Sequence, residues 1–191
     1  LGQGVVGLLT TSLLNEFPLD ALVTVDQFDL RCQMSREESQ RSKVSHCETL
    51  HADSSDFREQ ALSTLKQGAD LTFELSGNPS ALNDAIALTC FTGRIVVGSW
   101  YGEKQMDVHL GGWFHRSRIK LISSQVSTIS PDLSGRWDKP RRFDVAWKAL
   151  ERIKPEKWIT HRFAIDDATE AYRMLDENPQ ETIQVIFDYK P

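Results

Sequence analysis

A glycine-rich run at the start of the chain constrains the fold more than any other feature. Residues 1–7 read Leu-Gly-Gln-Gly-Val-Val-Gly, which is the Gly-x-Gly-x-x-Gly pattern of a turn between a strand and a helix. In such a turn Gly2 permits the tight bend, Gly4 lets the backbone approach a pyrophosphate, and Gly7 allows the helix to pack closely on the sheet. The phosphates would face the free N–H groups at the helix N-terminus.

An acidic residue at the expected distance supports this interpretation. Asp26 ends the apolar run Ala-Leu-Val-Thr-Val at residues 21–25. In dinucleotide-binding folds an acid at this place accepts hydrogen bonds from the hydroxyls of the adenosine ribose. The glycine run and Asp26 together therefore predict a nucleotide site, whereas the glycine run alone would fit an ordinary turn equally well.

The order of predicted elements indicates an α/β fold. Strands that alternate with helices favour a parallel sheet with helices on both faces. Because a glycine turn of this kind follows the carboxyl end of a first strand, that strand would lie upstream of Leu1, and we expect the chain to be the C-terminal part of a longer one. The predicted helices cover about residues 5–15, 29–42, 54–67, 79–90, 141–153 and 166–176, and the predicted strands cover 21–26, 48–51, 70–75, 94–97, 119–123 and 183–189.

Composition excludes several classes of function. The 191 residues carry a net charge of -5 with no long basic run, which argues against a nucleic-acid surface. There is no apolar run of the roughly 18 residues that a membrane span needs, and no signal peptide, so we expect a cytoplasmic protein. Cys32, Cys47 and Cys90 form no C-x-x-C pair and are assigned to packing. His46 and His51 flank Cys47, but a fourth zinc ligand is not evident, so no metal site is predicted.

Five motifs in order carry a resemblance to a known family. They read Gly-Gln-Gly-Val-Val-Gly, Thr-Val-Asp, Phe-Glu-Leu-Ser-Gly-Asn-Pro, Gly-Arg-Ile-Val-Val-Gly and His-Arg-Phe-Ala-Ile-Asp-Asp-Ala-Thr-Glu-Ala-Tyr. Their order and spacing resemble the C-terminal half of the medium-chain dehydrogenase/reductase family, and the zinc-type alcohol and polyol dehydrogenases look nearest. The resemblance implies a Rossmann-type doubly wound parallel sheet. It also implies an NAD(P)-binding domain over residues 1–152, incomplete at its N-terminus, and a C-terminal segment at 153–191 that packs on a GroES-like catalytic domain.

The resemblance also implies roles for single residues. The N–H groups of Val5 and Val6 match those that meet the pyrophosphate, and Arg31 matches a basic residue near the ribose, although a solvated arginine is an equal alternative. In the family, catalytic zinc ligands and the proton relay lie upstream of the glycine loop, so we assign no catalytic residue and no metal ligand here, and zinc would be bound by other residues of a parent chain. Gln184 departs from the family, which commonly has Lys or Arg there.

The nicotinamide end of the cofactor is expected at the ends of three later strands. Ser76 and Gly77 end the strand that the family uses beside the cofactor ribose, residues 98–100 would border the nicotinamide ring, and residues 123–124 would contact its amide. For each polar residue the alternative is a capped turn. The full set of predicted cofactor-binding residues is Gly2, Gly4, Val5, Val6, Gly7, Asp26, Arg31, Ser76, Gly77, Gly98, Ser99, Trp100, Ser123 and Ser124.

The predicted function is that of an NAD(H)-dependent oxidoreductase acting on a small alcohol or carbonyl compound. NAD is favoured over NADP because Asp26 would repel a 2′-phosphate. The alternatives are a zinc-free NADPH-dependent quinone or enoyl reductase, a methyltransferase, and a non-catalytic nucleotide-binding module. We expect a homodimer joined through the edge near residues 120–124 and the flanking loop of Trp113. The 191 residues alone are expected to be inactive in alcohol oxidation and less stable than a longer chain.

Overall fold

The computed structural model describes residues 1–41 and 43–189. Ser42, at the end of the predicted helix 29–42, and residues 190–191, at the end of the predicted C-terminal segment, lie outside the described residues. None of the described helices is both long and apolar enough to cross a lipid bilayer. The helices are α1 (Val5–Leu14), α2 (Asp29–Ser39), α3 (Phe57–Leu65), α4 (Ala81–Leu88), α5 (Lys139–Ile153) and α6 (Ala168–Glu177). The strands are β1 (Ala21–Asp26), β2 (His46–His51), β3 (Ala69–Glu74), β4 (Thr89–Val97), β5 (Lys120–Ser123), β6 (Ile159–Ala164) and β7 (Gln184–Asp188).

Every strand pair is parallel, which confirms the predicted α/β class. β1 pairs with β2, β3 and β5 flank β4, and β6 pairs with β7 in the C-terminal segment. Parallel neighbours require crossover connections, and the helices between the strands supply them. As a result the carboxyl ends of β1, β3, β4 and β5 follow one another along one edge, where ligands of open parallel sheets bind.

The first two residues lie between β1 and β3, which among the described strands are not paired with each other. The Leu1 amine donates to the Phe73 carbonyl at 2.7 Å, and the Leu1 carbonyl accepts from the Leu75 N–H at 2.8 Å. On the other side the Gly2 N–H donates to the Val25 carbonyl at 2.8 Å. A groove of about 260 Å³ continues between the two strands. The glycine loop is thereby fixed to the carboxyl ends of both strands.

Three clusters of buried apolar side chains form the core. The third cluster joins α1 to α5, so residues on both sides of the predicted domain boundary at 152/153 pack together, and that boundary remains a prediction. The clusters are Val25, Leu50, Phe57, Ala61 and Leu88; Ala85, Ile86, Ile95 and Ile119; and Leu8, Ala149, Ile153 and Trp158.

Helices α3 and α4 both begin later than the sequence predicted. The predicted starts were residue 54 and Pro79. Ser54 instead donates through its hydroxyl to Asp56, which is the residue before α3. Asn78 accepts from the Ser80 N–H at 3.1 Å in a turn that precedes α4. Ser and Asn side chains stabilise local turns as readily as helix starts, and at both places they stabilise a turn.

The three cysteines differ in environment. Cys32 is buried beneath β1 and β2, where its sulfur lies 3.4 Å from the Asp26 carbonyl oxygen and 3.6 Å from that of Leu50. This burial raises the pKa of the Cys32 thiol to about 11. Cys47 is exposed and Cys90 is partly buried. The assignment to packing is therefore confirmed for Cys32 and wrong for Cys47.

Candidate cofactor site

Each of the three glycines in the glycine loop has a different steric environment. Gly2 has φ +85°, and a Cβ there would lie 2.6 Å from the Cα of Ser76. A Cβ on Gly4 would meet only the Arg31 Nη1 at 4.0 Å, so the loop is open at this position. A Cβ on Gly7 would lie 2.0 Å from the carbonyl oxygen of Gly2. Because Gly2 is hydrogen-bonded to Val25 of β1, the absence of a side chain at Gly7 lets α1 begin close to the end of the sheet, as predicted for a helix that packs closely there.

The start of α1 is suited to an anion. Gly4 is the residue before the helix and offers no side chain to cap it, and the first turn contains no acidic residue. The first N–H groups of a helix have no partner within it, and those of Val5 and Val6 therefore point out of the helix end. Backbone N–H groups in this arrangement, with the positive end of the helix dipole behind them, bind phosphate oxygens.

The Asp26 carboxylate is held in a fixed orientation at the end of β1. Its exposed fraction is 6%. One oxygen accepts from the Gln3 N–H at 2.6 Å and the other from the Phe28 N–H at 3.0 Å. A carboxylate has about four acceptor positions, so each oxygen keeps capacity for a further donor. Asp26 can therefore accept from two ligand hydroxyls without a change in its own conformation.

A cleft of about 270 Å³ joins the glycine loop to Asp26. It brings together four of the predicted residues, namely Gly2, Asp26, Arg31 and Ser76. The cleft is thus built at the carboxyl ends of β1 and β3, on either side of the glycine loop. The other residues that line it are Leu1, Val25, Gln27, Ala52, Asp53, Phe57, Asn78, Ser80, Ala81 and Asp84.

Arg31 is fixed by the C-terminal segment rather than solvated. Its Nη2 donates to the carbonyl oxygens of Pro179 at 3.1 Å and Thr182 at 3.2 Å, and its Nε donates to Thr182 at 3.3 Å. The guanidinium also lies over the Phe28 ring, 4.6 Å from its centre. These contacts leave Nη1 as the edge nearest Gly4. The tail therefore reaches the site through two backbone carbonyls that orient a cationic side chain.

On the other side of the loop, the turns after β3 and β4 are bonded to each other. The Gly77 N–H donates to the Ser99 hydroxyl at 2.9 Å, and Gly77 has φ +71°. The N–H groups of Gly98 and Ser99 donate to the Glu74 carbonyl at 2.9 and 3.2 Å. The structure thus brings Ser76, Gly77, Gly98 and Ser99 together.

The remaining three predicted residues lie at the same edge of the sheet but do not line the described cleft. The Trp100 side chain is 90% exposed. Ser123 lies opposite Val97 in the pairing of β4 with β5, and the Ser124 N–H donates to the Val97 carbonyl at 2.8 Å. Their role toward a cofactor stays a prediction.

Sequence reasoning missed Glu74 and Tyr101. Glu74 is fully buried at the end of β3, and its carboxylate accepts from the Tyr101 hydroxyl. Burial, together with the hydrogen bond to Glu74, raises the pKa of Tyr101. A charged residue within the apolar run Leu-Thr-Phe-Glu-Leu is the signal that could have found it, because a buried carboxylate is retained only where donors satisfy it.

Sequence and structure comparisons agree on the kind of protein this chain resembles. It is 25% identical over 97% of its length to D-guloside 3-dehydrogenase of Escherichia coli (strain K12) and 23% identical over 96% to L-arabinitol 4-dehydrogenase of Aureobasidium melanogenum. The chain is therefore similar in sequence to proteins that are named as dehydrogenases. It spans about half the length of these curated relatives, 52% and 47% respectively. No protein-family model matches it.

Solved structures show the same fold. An alcohol dehydrogenase of Escherichia coli, RspB, solved with NADH, superposes with a TM-score of 0.74 at 17% identity, over 98% of this chain and 50% of that one. The 2R,3R-butanediol dehydrogenase of Bacillus subtilis superposes with a TM-score of 0.72 at 18% identity, over 99% of this chain and 49% of that one. The Rossmann-type fold expected from the sequence is therefore confirmed.

Proposed function

We propose that this chain is the cofactor-binding portion of an NAD(H)-dependent oxidoreductase that interconverts an alcohol and a carbonyl compound. The observation that carries the proposal is the cleft in which the open glycine loop adjoins the buried Asp26 carboxylate. The relatives named as guloside and arabinitol dehydrogenases support the same class of reaction. NAD(H) supplies the hydride chemistry when bound, and the protein supplies binding and orientation.

The residues present fit a dinucleotide along the whole cleft. The N–H groups of Val5 and Val6 would donate to the pyrophosphate, with Gly4 leaving room for its approach. Asp26 would accept from the adenosine ribose hydroxyls, and Arg31 would present Nη1 toward the phosphates. The predicted contacts at the nicotinamide end are Ser76, Gly77, Gly98, Ser99, Trp100, Ser123 and Ser124.

Preference for NAD over NADP follows from the fixed position of Asp26. The N–H groups of Gln3 and Phe28 hold both carboxylate oxygens, so Asp26 cannot easily turn away from a 2′-phosphate. Two negative groups in contact at a buried position repel each other strongly. This repulsion argues against an NADPH-dependent quinone or enoyl reductase.

Fluorescence titration tests the proposal, since bound NADH quenches tryptophan emission. We expect the chain to bind NADH more tightly than NADPH and S-adenosylmethionine. Asp26→Ala should weaken NADH binding about tenfold or more, because a hydrogen bond to a charged group is lost. Asp20→Ala is the matched control, since Asp20 has a 76% exposed side chain ahead of β1.

Three outcomes would contradict this function. Equal affinity for NADH and NADPH would remove the argument from Asp26, and unchanged NADH affinity in Asp26→Ala would place that residue outside the site. Preferential binding of S-adenosylmethionine would instead favour the methyltransferase alternative.

The proposal extends to assembly and location. We infer a homodimer joined through the edge of β5, supported by the exposure of every residue in that strand and of Trp113 nearby.

A cytoplasmic location is supported by three cysteines without disulfide partners among the described residues. We assign no metal to this chain, because in the described part no group of three or more His, Cys, Asp or Glu could bind an ion.

A further inference from the structure

Glu74 is a buried carboxylate at the edge of the sheet where the cofactor site lies, and none of the nucleotide contacts proposed above uses it. One carboxylate oxygen accepts from the Ser76 N–H at 2.8 Å and also from the Ser76 hydroxyl. The other oxygen accepts from the Tyr101 hydroxyl. A carboxylate with no exposed surface requires such donors, so these three bonds fix the positions of both partners.

The same residue also bonds the two turns through its backbone. The Glu74 carbonyl accepts from the N–H groups of Gly98 and Ser99. The Ser99 hydroxyl in turn accepts from Gly77, and the Lys104 Nζ donates to the Gly77 carbonyl at 3.0 Å. The turn after β3 and the loop after β4 are therefore held together by bonds that converge on Glu74.

This arrangement is in direct contact with the glycine loop. A Cβ on Gly2 would lie 2.6 Å from both the Cα and the N of Ser76, so the two backbones touch with no spare space. Gly2 and Ser76 therefore mark the place where the glycine loop meets the turn at residues 76–78. By contrast, Asp26 is held by Gln3 and Phe28, which belong to the other side of the cleft.

We propose that Glu74 and Tyr101 are positioning residues that hold the turn at residues 76–78 and the loop at 98–104 in the arrangement that receives the nicotinamide half of the cofactor. The inference rests on the proposed function, because it assigns these turns to the nicotinamide end. It predicts that loss of the Tyr101 hydroxyl weakens the binding of the nicotinamide half selectively. The adenosine half, bound through Asp26 and the α1 N-terminus, should be unaffected.

The test compares two ligands, NADH and ADP, because ADP has the adenosine and both phosphates of NADH but lacks its second ribose and its nicotinamide ring. Tyr101→Phe should weaken NADH binding about fivefold, the effect of one or two lost hydrogen bonds, and leave ADP binding within about twofold. The emission maximum of bound NADH should also shift toward that of free NADH. Tyr172→Phe is the matched control, since Tyr172 is 68% exposed on α6 and packs on Phe187.

Glu74→Gln supplies a second variant of nearly the same shape. The double variant Glu74→Gln/Tyr101→Phe should weaken NADH less than the product of the single effects, because both single changes break the same bond. Circular dichroism would verify that each variant folds. A structural defect would weaken the binding of both ligands, whereas loss of positioning would weaken the binding of NADH alone.

Two results would overturn the inference alone, with NADH still bound by the unchanged chain. These are unchanged NADH affinity and emission in Tyr101→Phe, or equal weakening of NADH and ADP binding. Failure of the unchanged chain to bind NADH, with ADP binding intact or lost, would instead overturn the proposed function, and this inference with it.

Discussion

Residues 1–98 and residues 119–189 bury their apolar side chains to different extents. In the first region α1, β1, β3 and β4 contribute fully buried residues such as Leu8 and Ile95. In the second region every residue of β5 is exposed, and α5 buries only Ala149 and Ile153 among its fifteen residues. The elements of the first region thus bury apolar side chains against one another. The second region exposes large apolar side chains, as surfaces that contact other polypeptides do.

The difference in burial between the two regions divides the candidate site. The glycine loop, Asp26 and Glu74 all lie in the first region, where Gly2 and Gly7 closely approach neighbouring backbone atoms and both carboxylates are buried. Trp100 and β5, which would complete the nicotinamide and substrate side, are exposed. Under the proposed function, the groups assigned to the adenosine half are therefore preformed, whereas Trp100 and β5, assigned to the nicotinamide end, are exposed.

The largest effect should come from adding one methyl group to the tight loop. In Gly7→Ala the new Cβ would lie 2.0 Å from the Gly2 carbonyl oxygen, so the backbone must move. We expect a loss of about 1 to 3 kcal/mol in the free energy of unfolding, as in other overpacked sites, and NADH affinity reduced more than tenfold. Urea unfolding and NADH titration measure both.

Gly135→Ala is the matched control in the second region, because no atom lies within 4 Å of a Cβ there. Its effect on unfolding should stay within about 0.5 kcal/mol, as for most surface substitutions. Equal stability of the two variants would mean that the contrast between a filled and an open region does not hold.

The next prediction concerns the exposed edge of β5. Light scattering at tens of micromolar should show a dimer, and Ile122→Lys should convert it to a monomer, because a charge on an edge strand disfavours edge-to-edge pairing. Ile122 is 41% exposed, and Val145→Lys offers a control at a 47% exposed residue of α5. A monomer before any substitution would exclude a stable interface at this edge.

The smallest effect should be a pH dependence from Cys32. Its thiol pKa is raised by burial from 9.0 to about 11, so between these values the folded chain keeps a proton that the unfolded chain releases. The free energy of unfolding should therefore fall as pH rises from 9.0 to about 11, by about 1 to 2 kcal/mol. Cys32→Ala should lack this component, whereas Cys47→Ala, at an exposed thiol, should retain it. Parallel pH profiles for the two variants would contradict the assignment.

Much of the fold could be predicted from local pattern. Alternating apolar runs and helical periodicities placed β1, β3 and α1 to within a few residues, because burial of one face fixes those periods. That Gly2 and Asp26 would lie together could be predicted from their spacing, and both line one cleft in the structure. The role of Asp26 toward a ribose stays a prediction. Starts of helices such as α4 were less certain, because Asn78 can stabilise either a turn or a helix.

The rest depended on contacts between residues distant in sequence. Arg31 is bonded to carbonyls at Pro179 and Thr182, about 150 positions later, which no local pattern encodes. Tyr101 meets Glu74 only because β3 and β4 are adjacent and end at the same edge. Such pairs follow from the assembled sheet, and they became visible only with the three-dimensional structure.

The separation of β1 from β3 has a consequence for how the sheet opens. β4 has hydrogen-bonded partners on both sides, whereas β1 and β3 each have one strand partner, and among the described residues Leu1 and Gly2 connect the two strands. Amide hydrogens of β4 are therefore expected to exchange most slowly with solvent deuterium, and those along the facing edges of β1 and β3 to exchange earlier through local opening. The candidate cofactor site thus lies at the junction of two cooperative units, and a ligand that contacts both Asp26 and Ser76 would couple them.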